Sequence, residues 1–195
     1  MTFDAVILAG GRSARLGGIP KAQLVLDGTT LLQRTLNAAQ DARQIVVVGD
    51  VDAAEVSSTT IVTREDPPFG GPAAAIAAGL GATTGVAADW VLVLACDMPG
   101  VASAVPVLLS GLAADGAVAV DDVGREQYLL ALYRRAALEK ELGALEVPVS
   151  GMSVRALIKE LDVTAVNVPF GSSADVDTWD DAARLGIPAT REGAP

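Results

Sequence analysis

The chain is 195 residues long, enough for one domain with a sizeable buried core and short for two. Hydrophobic residues make up 51% of it and aromatic residues only 4%, with 20 glycines, a mixture dominated by Ala, Val and Leu that suits helices packed on a parallel sheet. A formal net charge of −10 argues against a nucleic-acid or anionic-membrane partner, and the absence of any His excludes the usual zinc sites and Ser-His-Asp hydrolysis.

In chain order, Phe3 to Leu8 is a short apolar run ending at Gly10-Gly11, which predicts a buried strand that stops in a loop. Leu31, Leu32, Thr35, Leu36 and Ala39 then form one apolar stripe at helical spacing. Ile45 to Val48 and Thr60 to Thr63 repeat the strand form. Pro72 followed by Ala73 to Leu80 predicts a helix with proline in its first turn, and Trp90 to Ala95 is a further apolar strand. The second half continues with a helix over Val105 to Leu112 and strands over Ala117 to Val120 and Tyr128 to Tyr133. An amphipathic helix over Val154 to Leu161 and a late strand over Val163 to Val168 follow. Thr178 is a candidate N-cap for a last helix, with Asp181 in the capping-box position. This alternation predicts an α/β fold, a mostly parallel sheet covered on both faces, with ligands at the carboxyl ends of the strands. One domain over 1–188 is expected, with a disordered tail from Ala189 to Pro195. Neither a signal peptide nor a membrane span is expected, which places the protein in the cytoplasm, and the lone Cys96 has no partner for an internal disulfide.

Catalysis must therefore rest on carboxylates, Lys, Arg and backbone. The segment Leu8-Ala9-Gly10-Gly11 through Arg12, Arg15 and Lys21 follows a predicted strand directly. Paired glycines let successive N–H groups converge on an anion, and Arg15 and Lys21 supply positive charge to phosphate oxygens. It is neither a Walker A loop nor a dinucleotide-binding G-x-G-x-x-G turn, and by residue types alone a solvated surface turn is an equal reading. Asp97 sits where the strand from Trp90 emerges, the place for a hard carboxylate sharing Mg²⁺ with substrate phosphates; a helix-capping loop residue is the alternative. Asp175 and Asp177 flank Val176 in an extended segment that points both acids one way, so they could complete a cation site or form an ordinary acidic loop before a helix. Asp66, after another predicted strand, is a candidate acceptor for a base or ribose, or a turn residue.

In this order the motifs resemble the molybdenum cofactor guanylyltransferases, a branch of the nucleotidyltransferase superfamily whose signature runs Leu-Ala-Gly-Gly-x-Ser-x-Arg-Met-Gly-x-x-Lys. The match holds at Leu8 through Gly11, Ser13, Arg15, Gly17 and Lys21, with Leu16 for the methionine. It extends through Asp66, Gly71-Pro72, Cys96-Asp97-Met98-Pro99, Gly124-Arg125, Leu130 to Tyr133 and Gly151-x-Ser153-Val154-Arg155. The resemblance implies a Rossmann-like, three-layer domain of nucleotide-diphospho-sugar transferase type. It would bind GTP with Mg²⁺ and transfer GMP to the terminal phosphate of molybdopterin, releasing pyrophosphate. Leu8, Ala9 and Gly10 with Gly11 would meet the nucleotide, Lys21 the phosphates, Asp66 the guanosine portion and Asp97 the Mg²⁺, with Asp175 and Asp177 approaching the metal. The resemblance also allows molybdoenzyme chaperones as protein partners. Two departures concern other regions: relatives often carry His-Pro where this chain has Gln127-Tyr128, and an Asn near Gly49-Asp50.

For phosphate attacking phosphate no general base is needed, because a phosphate monoester's second pKa is about 6. Arg15, Lys21 and Mg²⁺ on Asp97 would act by positioning and neutralising charge. Arg12, Arg15 and Lys21 alone are too few to balance a triphosphate, which makes the metal a required half of the site. Arg125, Tyr133 and Arg155 are candidates for the acceptor pocket, with a core position the alternative for Tyr133. The alternatives left open are a molybdopterin cytidylyltransferase, another small-phosphate nucleotidyltransferase, and a non-catalytic nucleotide-binding regulator.

Overall fold

A computed structural model describes residues 1–11, 13–112 and 114–189. Apart from Ala189, the expected tail falls outside the described residues, as does Arg12. The chain begins with β1 (Phe3–Leu8), the small strands β2 (Val25–Leu26) and β3 (Thr29–Thr30), α1 (Leu31–Ala38), β4 (Ile45–Val48) and β5 (Ile61–Thr63). Then come α2 (Pro72–Ala82), β6 (Trp90–Ala95), α3 (Val105–Ser110), β7 (Gly116–Val120) and β8 (Glu126–Arg134). The last elements are α4 (Arg135–Gly143), α5 (Val154–Leu157), β9 (Val163–Asn167) and α6 (Trp179–Arg184).

Seven strands make one sheet in the order β5-β4-β1-β6-β8-β7-β9. All run parallel except β8, which is antiparallel to both of its neighbours. The strands β1, β4 and β6 are apolar along their length, Asp4 of β1 excepted, because both of their faces are covered. Ala5 and Ile7 join Leu32, Leu36 and Leu108 on one side, whereas Val6 and Leu8 join Ile76, Leu80, Leu138 and Leu157 on the other. That period-two alternation is what holds helices to both faces, at roughly 1.5–3 kcal/mol for each large aliphatic side chain buried.

At the amino end of β1, Asp4 is fully buried in the middle of this apolar environment. Its carboxylate accepts from the Ala88 N–H at 2.9 Å and the Arg135 guanidinium at 2.8 Å, while Arg135 Nε donates to the Ala88 carbonyl. One buried ion pair thus fixes the first residue of α4 against the start of β1. Breaking such a pair leaves an uncompensated charge and costs about 3–5 kcal/mol.

A third, smaller cluster fixes the segment after β1. Leu16 and Leu24 pack with Leu31, Val176, Ala182 and Ile187, so the loop between β1 and α1 is anchored on the last helix. That helix has the expected capping box: Thr178 Oγ1 accepts from Asp181 N, and the Asp181 carboxylate accepts from Thr178 N. The register places Leu8 opposite both Val48 and Ala95, so the turns after β1, β4 and β6 emerge side by side at one edge of the sheet.

Candidate functional site

The glycine turn leaves β1 between two neighbours that set its path. Ala9 N donates to the Val48 carbonyl at 2.8 Å, and Cys96 N to the Leu8 carbonyl at 3.0 Å. Gly49 lies directly beneath: a Cβ there would stand 2.7 Å from Ala9 C and Gly10 N, and the residue has φ +151°. Only glycine lets the turn after β1 settle so closely on the turn after β4.

Lys21 reaches the same edge from the short 3₁₀ turn Lys21–Gln23. Its ammonium donates to Asp97 Oδ2 at 2.8 Å and to Asp177 Oδ1, joining residues 76 and 156 positions away. The Lys21 and Asp97 side chains are only about one-fifth exposed, Asp177 about half. Burial draws the Lys21 pKa down, but Asp97 and the hydrogen bond to Asp177 outweigh it and hold the ammonium above its ordinary value. Arg15, mostly exposed, stands 3.9 Å from Asp177, a contact that solvent screens.

Val176 explains how the acidic pair arrives. Its side chain is fully buried with Leu16, and its N–H donates to the Asp97 carbonyl at 3.0 Å. In an extended segment its neighbours Asp175 and Asp177 must then turn the other way, toward Lys21 and Asp97. Partial desolvation and then the charges of Asp97 and Asp177 raise the Asp175 pKa.

Two cavities open on the glycine turn. One, of about 400 Å³, is lined by Leu8, Gly10, Gly11, Lys21 and Asp97 at one end. Glu65, Phe69 and the Gly71-Pro72 start of α2 line it as well. The second, of about 410 Å³, shares Gly10, Gly11, Glu65 and Phe69 and extends to Gly49, Asp50 and Arg64. Cys96 also lines the first, but burial and the adjacent Asp97 push its thiol up to about 12, so it stays protonated and is no nucleophile.

The structure therefore brings together Leu8, Gly10, Gly11, Lys21, Asp97, Asp175 and Asp177, with Ala9 on the second cavity and Arg15 at the margin. Asp66 is placed differently. It is exposed and borders a shallow depression on the outer side of α2 with Ala74, Ala77 and Ala78; its neighbour Glu65 borders that depression too and also lines both cavities. Sequence reasoning passed over Glu65 because adjacent residues of an extended segment point to opposite sides, and composition does not say which faces in. Of the acceptor candidates, Tyr133 is a fully buried core residue whose hydroxyl donates to the Tyr128 carbonyl at 2.9 Å; Arg125 and Arg155 are exposed.

Among the described residues no group of three or more His, Cys, Asp or Glu is arranged around a common metal position, and no helix is long and apolar enough to cross a membrane. What the site does offer is two carboxylates drawn together on one cation. With the N-terminus of α2 that follows Gly71 and the glycine turn, that arrangement suits a polyphosphate accompanied by a hard divalent ion.

Comparison with known proteins shows the family and the fold. Residues 5–165 match the profile of the family described as MobA-like NTP transferase domain. The molybdenum cofactor guanylyltransferase of Cupriavidus pinatubonensis is 36% identical over 135 residues, which span 64% of this chain and 66% of that relative, just under two thirds of its length. The crystal structure of the Rv0371c homolog from Mycobacterium sp. strain JC1 superposes with a TM-score of 0.71 at 28% identity, covering 94% of each chain. Molybdopterin-guanine dinucleotide biosynthesis protein A from Archaeoglobus fulgidus, at 22% identity, shares the fold with a TM-score of 0.69 over 94% of this chain and 97% of its own. The chain belongs to the MobA-like NTP transferase domain family, and its fold is the nucleotide-diphospho-sugar transferase fold of the nucleotidyltransferases.

Proposed function

We propose that this member of the MobA-like NTP transferase family transfers GMP from GTP to the terminal phosphate of molybdopterin, yielding the guanine dinucleotide and pyrophosphate. The observation that carries the reading is the meeting of Lys21, Asp97 and Asp177 beside the Gly10-Gly11 turn, where a triphosphate would lie along the sheet edge. The relative from Cupriavidus pinatubonensis carries the name of that activity.

In this reading the acceptor phosphate, already ionised at neutral pH, attacks the α-phosphorus and the bond to the β-phosphate breaks. No side chain has to remove a proton, which agrees with a site built from a lysine and carboxylates. Lys21 positions the phosphates and neutralises charge that builds on the leaving pyrophosphate. Arg15 adds a weaker, solvent-screened charge. The Gly10 and Gly11 backbone and the start of α2 hold oxygens without needing to reorganise.

A Mg²⁺ ion fits the donor set. Asp97 and Asp177 already converge on one cation, both offer hard oxygens, and one or two carboxylates plus substrate phosphates are its usual ligands. Asp97 would hold it, with Asp177 and Asp175 alongside; bound there, it would supply Lewis-acid stabilisation of phosphate charge. Lys21 would then release its carboxylates and turn to the phosphates.

The test is incubation with Mg²⁺, molybdopterin and GTP or CTP, followed by mass spectrometry and pyrophosphate release. The expected result is the guanine dinucleotide with GTP, loss of turnover in excess chelator, and a fall of about 10²–10³-fold in Asp97→Ala. Nucleotide binding without pyrophosphate release would refute the transferase reading, and a cytidine product would refute the choice of base.

A further inference from the structure

We propose that Gly100 is a positioning residue for the acidic pair: it leaves the space in which the segment from Pro169 to Asp177 crosses the turn after β6, and so sets where Asp175 and Asp177 stand relative to Asp97. The inference rests on the metal-assisted transfer reading and deepens it by naming what holds the three carboxylates in place.

The crossing is a backbone contact. A Cβ at Gly100 would stand 2.9 Å from the Gly171 carbonyl oxygen and 3.1 Å from Ser172 Cα, where ordinary contact begins at 3.4 Å. Gly100 itself has φ −88° and ψ 2°, which other residues also adopt, so space and not backbone conformation calls for glycine here. Neither side is free to give way. On one, Met98 and Val101 are buried in the core, and Val101 N donates to the Met98 carbonyl at 3.2 Å. On the other, Ser172 and Ser173 are buried, and Ser172 N donates to the Pro169 carbonyl at 3.0 Å. The Ser172 hydroxyl is buried with no hydrogen-bond partner among the described residues, so the seat is made by backbone and not by that side chain.

Two hydrogen bonds flank the contact. Gly171 N donates to the Asp122 carboxylate in the turn between β7 and β8 at 3.0 Å, and Val176 N donates to the Asp97 carbonyl at 3.0 Å. The turn from Asp97 to Gly100 therefore both carries one carboxylate and seats the segment that delivers the other two. A side chain at position 100 would lift Gly171 and Ser172 by about 0.5 Å, the difference between 2.9 and 3.4 Å. The shift passes along the segment to Val176 and draws Asp175 and Asp177 away from Asp97 and Lys21.

The experiment compares Gly100→Ala, Asp122→Ala and Ser172→Ala with the parent by two readouts. One is hydrogen exchange of the Val176 N–H by NMR, without metal or nucleotide; the other is the Mg²⁺ concentration for half-maximal pyrophosphate release from GTP and molybdopterin. In Gly100→Ala, exchange at Val176 is expected to speed up about fivefold or more, the lower end of what overpacking costs. The Mg²⁺ requirement should rise about tenfold, since a 1 Å misplacement costs up to about a hundredfold and this one is about half as large. The KM for GTP at saturating Mg²⁺ should stay near the parent's, because the glycine turn and α2 are not displaced. Asp122→Ala, at an exposed position, removes the acceptor of Gly171 N–H and should move both readouts the same way by smaller factors. It decides the matter if the alanine at position 100 prevents folding. Ser172→Ala should leave both readouts unchanged. Parent-like exchange and Mg²⁺ requirement in Gly100→Ala overturn the proposal, as does a GTP KM that rises in step with the Mg²⁺ requirement. A parent chain that releases no pyrophosphate overturns the transfer reading, while exchange at Val176 still decides whether Gly100 seats the segment.

Discussion

Gly49→Ala isolates the contact that seats the glycine turn. The new Cβ would meet Ala9 C and Gly10 N at 2.7 Å and Ala9 O at 2.9 Å, where ordinary contact begins at 3.4 Å. The atoms in the way are backbone, so relief requires the whole turn to move by about 0.7 Å, the difference between those distances. Overpacking of this kind costs about 1–3 kcal/mol, and the positive φ adds about 1–2 kcal/mol. Together these are about 2–5 kcal/mol, which lowers Tm by roughly 4–20 °C for a chain of this size. In the proposed reading the moved peptides are those that face the phosphates, and a displacement approaching 1 Å weakens a positioned interaction by up to about a hundredfold. Gly11→Ala is the comparison, since Gly11 has φ +138° but nothing within 4 Å of its Cβ position, so it should lose only the conformational part of the stability. Circular dichroism melts and calorimetric titration with GTP and Mg²⁺ measure both effects. A Gly49→Ala chain that melts within a degree of the parent and binds within twofold would show that the turn after β4 does not support the turn after β1.

Lys21→Ala leaves Asp97 and Asp177 facing each other without their cation. For a pair between fully exposed and fully buried the cost is about 1–2 kcal/mol, or roughly 2–8 °C in Tm. Millimolar Mg²⁺ should restore more of the melting temperature in this variant than it adds to the parent, and turnover should fall by about 10²–10³-fold. Equal Mg²⁺ shifts in both chains would contradict a shared cation position. Asp175→Asn should act in the opposite direction, because desolvation and then Asp97 and Asp177 raise the Asp175 pKa above its ordinary 3.8. A carboxyl whose folded pKa is raised destabilises the fold once ionised, so the variant should melt higher than the parent at pH 7 in the absence of divalent metal. That advantage should be lost as pH falls through the folded pKa toward the ordinary value of 3.8. A gain in Tm that persists unchanged at pH 3 would refute the electrostatic cause.

How much of this was legible in the sequence follows from which physical signal each element carried. The runs Phe3–Leu8, Ile45–Val48 and Trp90–Ala95 are strands to the residue, because both faces are covered and a polar or glycine position stands within two residues of each end. Direction was not legible from composition, and β8 runs against its neighbours. The signal was in the connection: the few residues from Asp121 to Arg125 can close a hairpin but cannot hold the long crossover that parallel strands need. Helix α4 went unread because it follows β8 without a breaker and begins with Arg135, whose charge suggests surface although it is buried on Asp4. The predicted helix from Val154 ends early, at Leu157, yet Ile158 and Leu161 still pack on the same core, so the apolar periodicity reported burial more faithfully than it reported helix.

The acidic segment near the end of the chain shows where sequence reasoning about a site stops. Alternation alone puts Asp175 and Asp177 on one side, but it does not say whether that side faces solvent or substrate. The deciding residue is the apolar one between them. Val176 has a place in the cluster formed by Leu16, Leu24 and Leu31, and its N–H is taken by the Asp97 carbonyl, so the two acids have only the Lys21 side left to face. The same cluster holds the loop that carries Lys21, which means that a single set of buried aliphatic contacts delivers both the lysine and its carboxylates. Three short motifs, separated by 76 and 156 residues from Lys21 to its partners, are thus one object, and packing rather than charge is what makes them so. In a chain of net charge −10 that matters for chemistry too, since a polyanion can approach only where the carboxylates are already committed to a cation.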